Sequence, residues 1–372
     1  MSVTHSAVSG TAGGDVDTHD RPINVAGAGI IGLATAFELV QRGKKVRIFD
    51  PAPGLRGDSA SFFAGGMLAP MAEVQFQQDD LFPLMGKSAE LYPDFLRRIS
   101  QCTSLPTGYD RTGTLIVAAD RADAQHLGDI SGYYQSAQRP THRLTLRQAR
   151  ALEPGLAPAL AGCVHIPSDH QVHPRLLLRA LMDALRAQGA QFIHSRIEDY
   201  RLPSGEQVRG DVVCTGLGDA HRFPLRPVLG DIIRLKAPRS IVRHVVRGFV
   251  QDRPVYIIPR PDGEIAIGAT SREDKRRLPS VDGVYQLLRD AIAIVPGLEE
   301  AEIMEISVGA RPGTPDDLPI FGWVDGQLVS NGYFRHGILL AALAGYAGAE
   351  ALCTGEIVPE FSPCDPGRFG TS

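Results

Sequence analysis

The 372-residue chain lacks a dominant charge: 38 basic side chains stand against 42 acidic ones, for a net charge of −4. It therefore has no basic footprint for nucleic acid or an anionic membrane, and neither is expected as a partner. Cysteine is scarce. The five residues at 102, 163, 214, 353 and 364 form no CxxC and no Cys/His metal spacing. No metal centre is expected, and reduced thiols in a cytoplasmic setting fit the pattern. No apolar run reaches the ~18 uninterrupted residues that cross a bilayer. The first 20 residues, rich in Ser, Thr, Gly, Asp and His, lack the apolar core of a signal peptide. They read as a disordered tail. No internal repeat is visible.

Glycine and proline, by contrast, are plentiful, at 40 and 27 residues. A hydrophobic share of 43 % and a charged share of 22 % are those of a globular chain. The residues between the glycines carry helix and strand periodicities, so low complexity does not explain the surplus. Each cluster of glycines needs a local reason.

The first cluster has one. A short apolar run at 23–26 reads as a buried strand, and a helical pattern follows over 30–42. A second strand is expected over 45–50. Gly27, Ala28, Gly29, Ile30, Ile31 and Gly32 form a GxGxxG between the first strand and the helix. The first glycine permits the tight turn and the second lets backbone approach a pyrophosphate. The third lets helix and strand pack closely. The helix start offers free N–H groups and a positive dipole end to phosphates. Asp50 closes the second strand where an acid meets ribose hydroxyls, which argues against a 2′-phosphate. This context predicts a dinucleotide site but does not separate FAD from NAD.

Two further segments bear on that choice. The run 59–70 places small residues where a large planar group could approach backbone. Near the C-terminus, Gly332, Tyr333, Phe334, Arg335, His336 and Gly337 precede a long helix that opens with Ile338 and Leu339. A helix start plus Arg335 could stabilise negative charge on a reduced flavin.

Taken in order, GAGIIG (27–32), AGGMLAP (64–70), VYIIPR (255–260), IGAT (267–270), GARPGTPDDLPIFG (309–322) and GYFRHGILLA (332–341) resemble the FAD-dependent amine oxidoreductases of the D-amino-acid oxidase superfamily. Within it, they are most similar to thiamine-pathway glycine oxidases. The resemblance implies that 27–32 hold the FAD pyrophosphate, with Asp50 and Pro51 at the adenosine. Ala60, Ser61, Gly65, Gly66 and Met67 would line the phosphates and the isoalloxazine. Ile197 would meet the adenine side, Gly216 belongs to the cofactor set, and 333–339 would wrap the flavin. Arg311 matches the arginine that pairs with a substrate carboxylate, a task suited to its planar fork. Tyr256 matches a tyrosine over the substrate, and Arg335 a further arginine near it. After Leu340 the chain departs from the family, with Ala341-Ala342-Leu343-Ala344-Gly345 replacing a run that carries proline and threonine.

The expected fold is α/β: a Rossmann-like FAD-binding domain, split in sequence, plus an α+β substrate domain with an antiparallel sheet. The FAD-binding domain is expected over 21–88, 145–225 and 305–360, and the substrate domain over 89–144 and 226–304. The implied reaction is hydride transfer from the Cα of glycine or an N-substituted glycine to non-covalent FAD. Imine hydrolysis to glyoxylate and amine follows, with dioxygen returning as hydrogen peroxide. The partners are thus a small carboxylate-bearing amine and dioxygen, in a chain that can form a homo-oligomer. Cleavage of an N-carboxymethyl group from a larger secondary amine, and a D-amino-acid dehydrogenase with another electron acceptor, remain alternatives. So do a flavin-binding protein with little turnover and an NAD-dependent dehydrogenase.

Overall fold

Ile23–Ala26 and Val46–Phe49 lie side by side in parallel, joined through the helix Ile30–Gln41. Parallel neighbours need such a crossover, and this one is the predicted βαβ unit. The computed structural model describes residues 21–53, 59–73, 80–136, 141–274 and 276–370, so the expected tail at 1–20 lies outside it. Around the first unit a six-stranded sheet runs in the order Ile320–Val324, Gln327–Asn331, Val212–Val213, Ile23–Ala26, Val46–Phe49, Gln191–Ile193. Its neighbours are parallel except the outer Ile320–Val324, which is antiparallel. From Ile23–Ala26 the chain steps to one side first and returns later to build the other. That reversal is the switch point where open sheets of this kind bind ligands, beyond the carboxyl ends of the strands.

A second sheet of eight strands runs in the order Glu302–Gly313, Arg226–Lys236, Glu264–Gly268, Arg253–Pro259, Val245–Val250, Thr114–Ala118, Gly162–Ile166, His142–Leu144. It is antiparallel except where Val245–Val250 meets Thr114–Ala118 in parallel. Gly162–Ile166 and most of Glu302–Gly313 fall inside the segments expected with the first domain, yet both pair in this second sheet. An apolar run shows that a strand forms, not which sheet receives it. Glu302–Gly313 was not anticipated as a strand, because the exposed Ile303 and Met304 break the alternation. It is nonetheless a continuous strand that carries Arg311 on a stiff support.

The last helix, Gly337–Thr354, is long and apolar enough to cross a membrane by length and composition. Here it packs on Ile30–Gln41 and on the helix Leu81–Ser100, and most of it is buried. Gly345 has a physical role in that packing. A Cβ at Gly345 would lie 2.9 Å from backbone atoms of Ala34, so only a residue without a side chain lets the two helices approach this closely. Helix Leu81–Ser100 braces the start of the last helix: Tyr92 Oη donates to Ile338 O (2.6 Å) and Ser88 Oγ to Leu339 O (2.6 Å). The boundary expected at residue 88 therefore cuts one continuous helix.

Candidate active site

A single cavity of about 1570 Å³ is lined from both sheets. That exceeds the ~300–1000 Å³ of a pocket for one drug-sized ligand. All the site residues expected from the sequence line it, except Gly32 and Gly332.

At one end the glycine loop follows Ile23–Ala26. Gly27 has φ +101°, and a Cβ there would stand 2.5 Å from Cys214 O. Gly32 faces away from the cavity; a Cβ on it would collide with Gly27 O, so it seats the helix against the loop. Asp50 accepts from Ala28 N (2.8 Å) through Oδ2 and from Ala52 N (2.7 Å) through Oδ1. It thus shapes the loop itself, a duty its position in sequence did not reveal. Ser61 Oγ accepts from Ile30 N (3.0 Å), stapling the short helix Ala60–Phe63 to the start of Ile30–Gln41. Gly29, the N-cap of that helix, has no side chain to cap it. Pro51 and Ile197 line the same end. Asn331, missed in the sequence, joins two loops: its Nδ2 donates to Gly216 O (3.0 Å) and its Oδ1 accepts from Gly332 N (2.8 Å).

Midway, Gly66 has φ +85°, and a Cβ there would collide with Val172 O. Arg260 holds this turn, donating to Gly65 O and to Val172 O (2.6 Å). Burial pushes Arg260 down to about 9, so it stays a cation at neutral pH. Met67 packs beside Ile258 and Tyr256.

The other end is built on the second sheet. Gly268, Tyr256 and Arg247 sit on neighbouring strands in one row. The Tyr256 ring passes over Gly65 and Gly268, and burial raises its pKa, so it remains neutral. Arg311 lies across Gly230, whose missing side chain makes room for the guanidinium. Its Nη1 donates to Thr270 O (3.3 Å), and Thr270 is held by Asp231 (2.7 Å). Among the described residues, Arg311 has no acidic partner. Burial lowers its pKa, first among several causes. A half-buried guanidinium facing a cavity with no acidic ion-pair partner is poised for an anion.

Arg335 and His336 enter with the last helix, which starts at Gly337 with no side-chain cap. Burial pushes His336 down to about 4, so it is neutral at pH 7 and supplies no charge. Arg335 Nη2 lies 3.7 Å from Glu73 Oε2, and Glu73 Oε1 lies 2.6 Å from Arg247 Nη1. Neither Glu73 nor Arg247 was expected. The available signals were an acid three residues past AGGMLAP and a charge amid a buried strand.

Asp169 supports the segment that leads to Glu73, accepting from Ala72 N (3.1 Å) and Met71 N (3.3 Å). It is fully buried, and burial raises it to about 7. The folded state thus favours the protonated acid relative to the unfolded one. The penalty for ionising it grows as pH rises from about 4 to about 7 and is constant above. Comparing melting temperatures across that range, Asp169→Asn should gain on the wild type as pH rises; a constant gap between the two would refute this.

Comparison with known proteins places this geometry. Residues 23–351 match the family DAO, FAD dependent oxidoreductase. The chain is 31 % identical to the glycine oxidase of Geobacillus kaustophilus over 93 % of its own length and 96 % of that protein. It is 30 % identical to the bifunctional protein ThiO/ThiG of Trichormus variabilis, spanning 94 % of itself but only 55 % of that longer relative. Among solved structures, the glycine oxidase from Geobacillus kaustophilus superposes with a TM-score of 0.84 at 30 % identity, covering 94 % of this chain and 99 % of that one. Iminodiacetate oxidase from Chelativorans sp. BNC1 follows with a TM-score of 0.78 at 27 % identity, covering 92 % and 98 %. With a switch-point sheet, a glycine-floored cavity and a family match running nearly end to end, the chain belongs to the DAO family of FAD-dependent oxidoreductases.

Proposed function

We propose that the chain oxidatively deaminates glycine or an N-substituted glycine, releasing glyoxylate and an amine. One observation carries the reading: Arg311 is a half-buried cation with no acidic ion-pair partner among the described residues, fixed on a strand at the cavity wall with Tyr256.

The cavity fits FAD on its own terms. Gly27 and Gly66 hold turns that a side chain would break against Cys214 O and Val172 O, and both turns, with the uncapped start of Ile30–Gln41, open backbone onto the same cavity. In this reading 27–31 and the uncapped start of Ile30–Gln41 hold the pyrophosphate, with Gly32 and Gly332 shaping the backbone from behind. Asp50, Pro51, Ile197 and Gly216 lie towards the adenosine. Ala60, Ser61, Gly65, Gly66 and Met67, with 333–339, flank the flavin. When bound, FAD supplies the two-electron oxidation, and its reoxidation by dioxygen yields hydrogen peroxide.

The protein's own part is position and field. Arg311 takes the substrate carboxylate in its planar fork and so aims the α-carbon. Tyr256, neutral and rigid, closes one side of the substrate. Arg335 and the positive end of the last helix set the potential where negative charge develops. No side chain is required to remove a proton if the amine arrives neutral. The cavity volume and the likeness to iminodiacetate oxidase favour N-substituted glycines alongside glycine itself. The five unpaired cysteines accord with a reducing, cytoplasmic setting.

An anaerobic screen tests this. Glycine, N-methylglycine or larger N-alkylglycines should bleach the bound flavin, and air should restore it with peroxide formed. Bleaching by D-amino acids with bulky side chains, and by none of the glycines, would overturn the assignment. Flavin that is reduced but not restored by air would replace dioxygen with another acceptor.

A further inference from the structure

We propose that Glu73 is the acceptor for the substrate's amine N–H, opposite the carboxylate anchor Arg311. This rests on the reading that the substrate is a glycine-type amino acid. Glu73 is 7 % exposed and lines the same cavity as Arg311, Tyr256 and Arg335. Its Oε1 is buried against Arg247 Nη1 at 2.6 Å, and a carboxylate has about four acceptor sites, so this one close contact leaves acceptor capacity over. Arg247 is its close ion-pair and hydrogen-bond partner, and the same Nη1 also donates to Ala72 O. Arg335 stands at 3.7 Å, too far for a hydrogen bond. Acceptor capacity left over on a buried carboxylate at a cavity wall is open to a ligand's N–H.

Its ionisation suits that role. Burial alone would push Glu73 up, but Arg247 and Arg335 outweigh it and hold the carboxyl below its ordinary value. Glu73 is therefore a carboxylate at neutral pH and can only accept. An amine N–H donated to it leaves the nitrogen lone pair free to form the C=N bond as the Cα–H leaves. Arg247 fixes the carboxylate from the second sheet, and Asp169 fixes the backbone just before it. The cavity then presents a cation for one end of an amino acid and an anion for the other.

The test compares N-methylglycine with methoxyacetate, which has the same shape but an ether oxygen in place of N–H. Competitive inhibition and flavin absorbance titration give the affinity of methoxyacetate, and steady-state rates give the KM of N-methylglycine. A site built around an N–H should reject the analogue lacking it by about tenfold or more. In Glu73→Gln the amide can turn its NH₂ to the ether, so the discrimination should collapse towards unity while acetate still binds. Equal affinities in the wild type, or an unchanged ratio in the variant, would overturn the proposal. The wild-type comparison stands even if Glu73→Gln does not fold, and Glu73→Asp then serves as the second variant, with partial discrimination expected. Failure of the wild type to oxidise N-methylglycine or glycine at all would instead sink the underlying function.

Discussion

Arg311→Ala should lower kcat/KM for glycine-type substrates about 10²- to 10³-fold, with most of the change in KM. Two charge-assisted hydrogen bonds to a buried carboxylate are worth ~3–4 kcal/mol together, and each 1.4 kcal/mol is a factor of ten. Acetate, which shares only the carboxylate, should lose its inhibition in parallel. Arg311→Lys should recover part of the loss, because a single ammonium cannot form the fork. The flavin should remain bound in both variants, since Arg311 stands on the second sheet, away from the glycine loop. A variant that keeps its KM for glycine while losing turnover would show that Arg311 does not hold the carboxylate.

The second large effect is expected at a residue that never touches a ligand. Gly32→Ala places a methyl group into Gly27 O, and no side chain lies there to move aside. The loop or the helix must shift. Overpacking of this kind costs ~1–3 kcal/mol, and here the displaced atoms are the backbone that meets the pyrophosphate. The purified variant should be pale, with a melting temperature several degrees lower and little protection on adding FAD. Gly43→Ala is the control: it also has a positive φ (+75°) but open space around its Cβ, so it should lose some stability and keep its colour. A yellow, fully active Gly32→Ala would contradict the close-packing role.

Some of this was legible in the residues and some was not. The βαβ unit, with its glycine spacing and its acid at residue 50, follows from local periodicity, and the structure builds it almost residue for residue. The helices Pro174–Ala187 and Gly337–Thr354 are similarly local. Sheet membership was not legible. Gly162–Ile166 and Glu302–Gly313 find partners far away in sequence, and nothing within five or twelve residues encodes which ones. The same limit hid Glu73 and Arg247. Each is an ordinary charge in its own segment, and they become part of a site only when a strand from residue 245 onward is laid beside the turn at 69–73. Asp50 was legible in position but not in full duty, because its bonds to Ala28 and Ala52 depend on how the loop folds back.

The neighbours of Ile23–Ala26 carry a consequence for how the molecule is made. The strand Gln327–Asn331 and the helix that follows complete the wall opposite the glycine loop, and Gly345 locks that helix onto Ala34. About 300 residues separate the two halves of this contact. At a synthesis rate of ~5–20 residues per second, the first half waits roughly 15–60 s on the ribosome before the second exists. During that interval the apolar face of Ile30–Gln41 has no final cover, and Val212–Val213, once made, waits for its neighbour Gln327–Asn331. Cofactor loading is thus a late event. A nascent chain stalled before residue 331 should remain colourless and depend on chaperones, however intact its glycine loop.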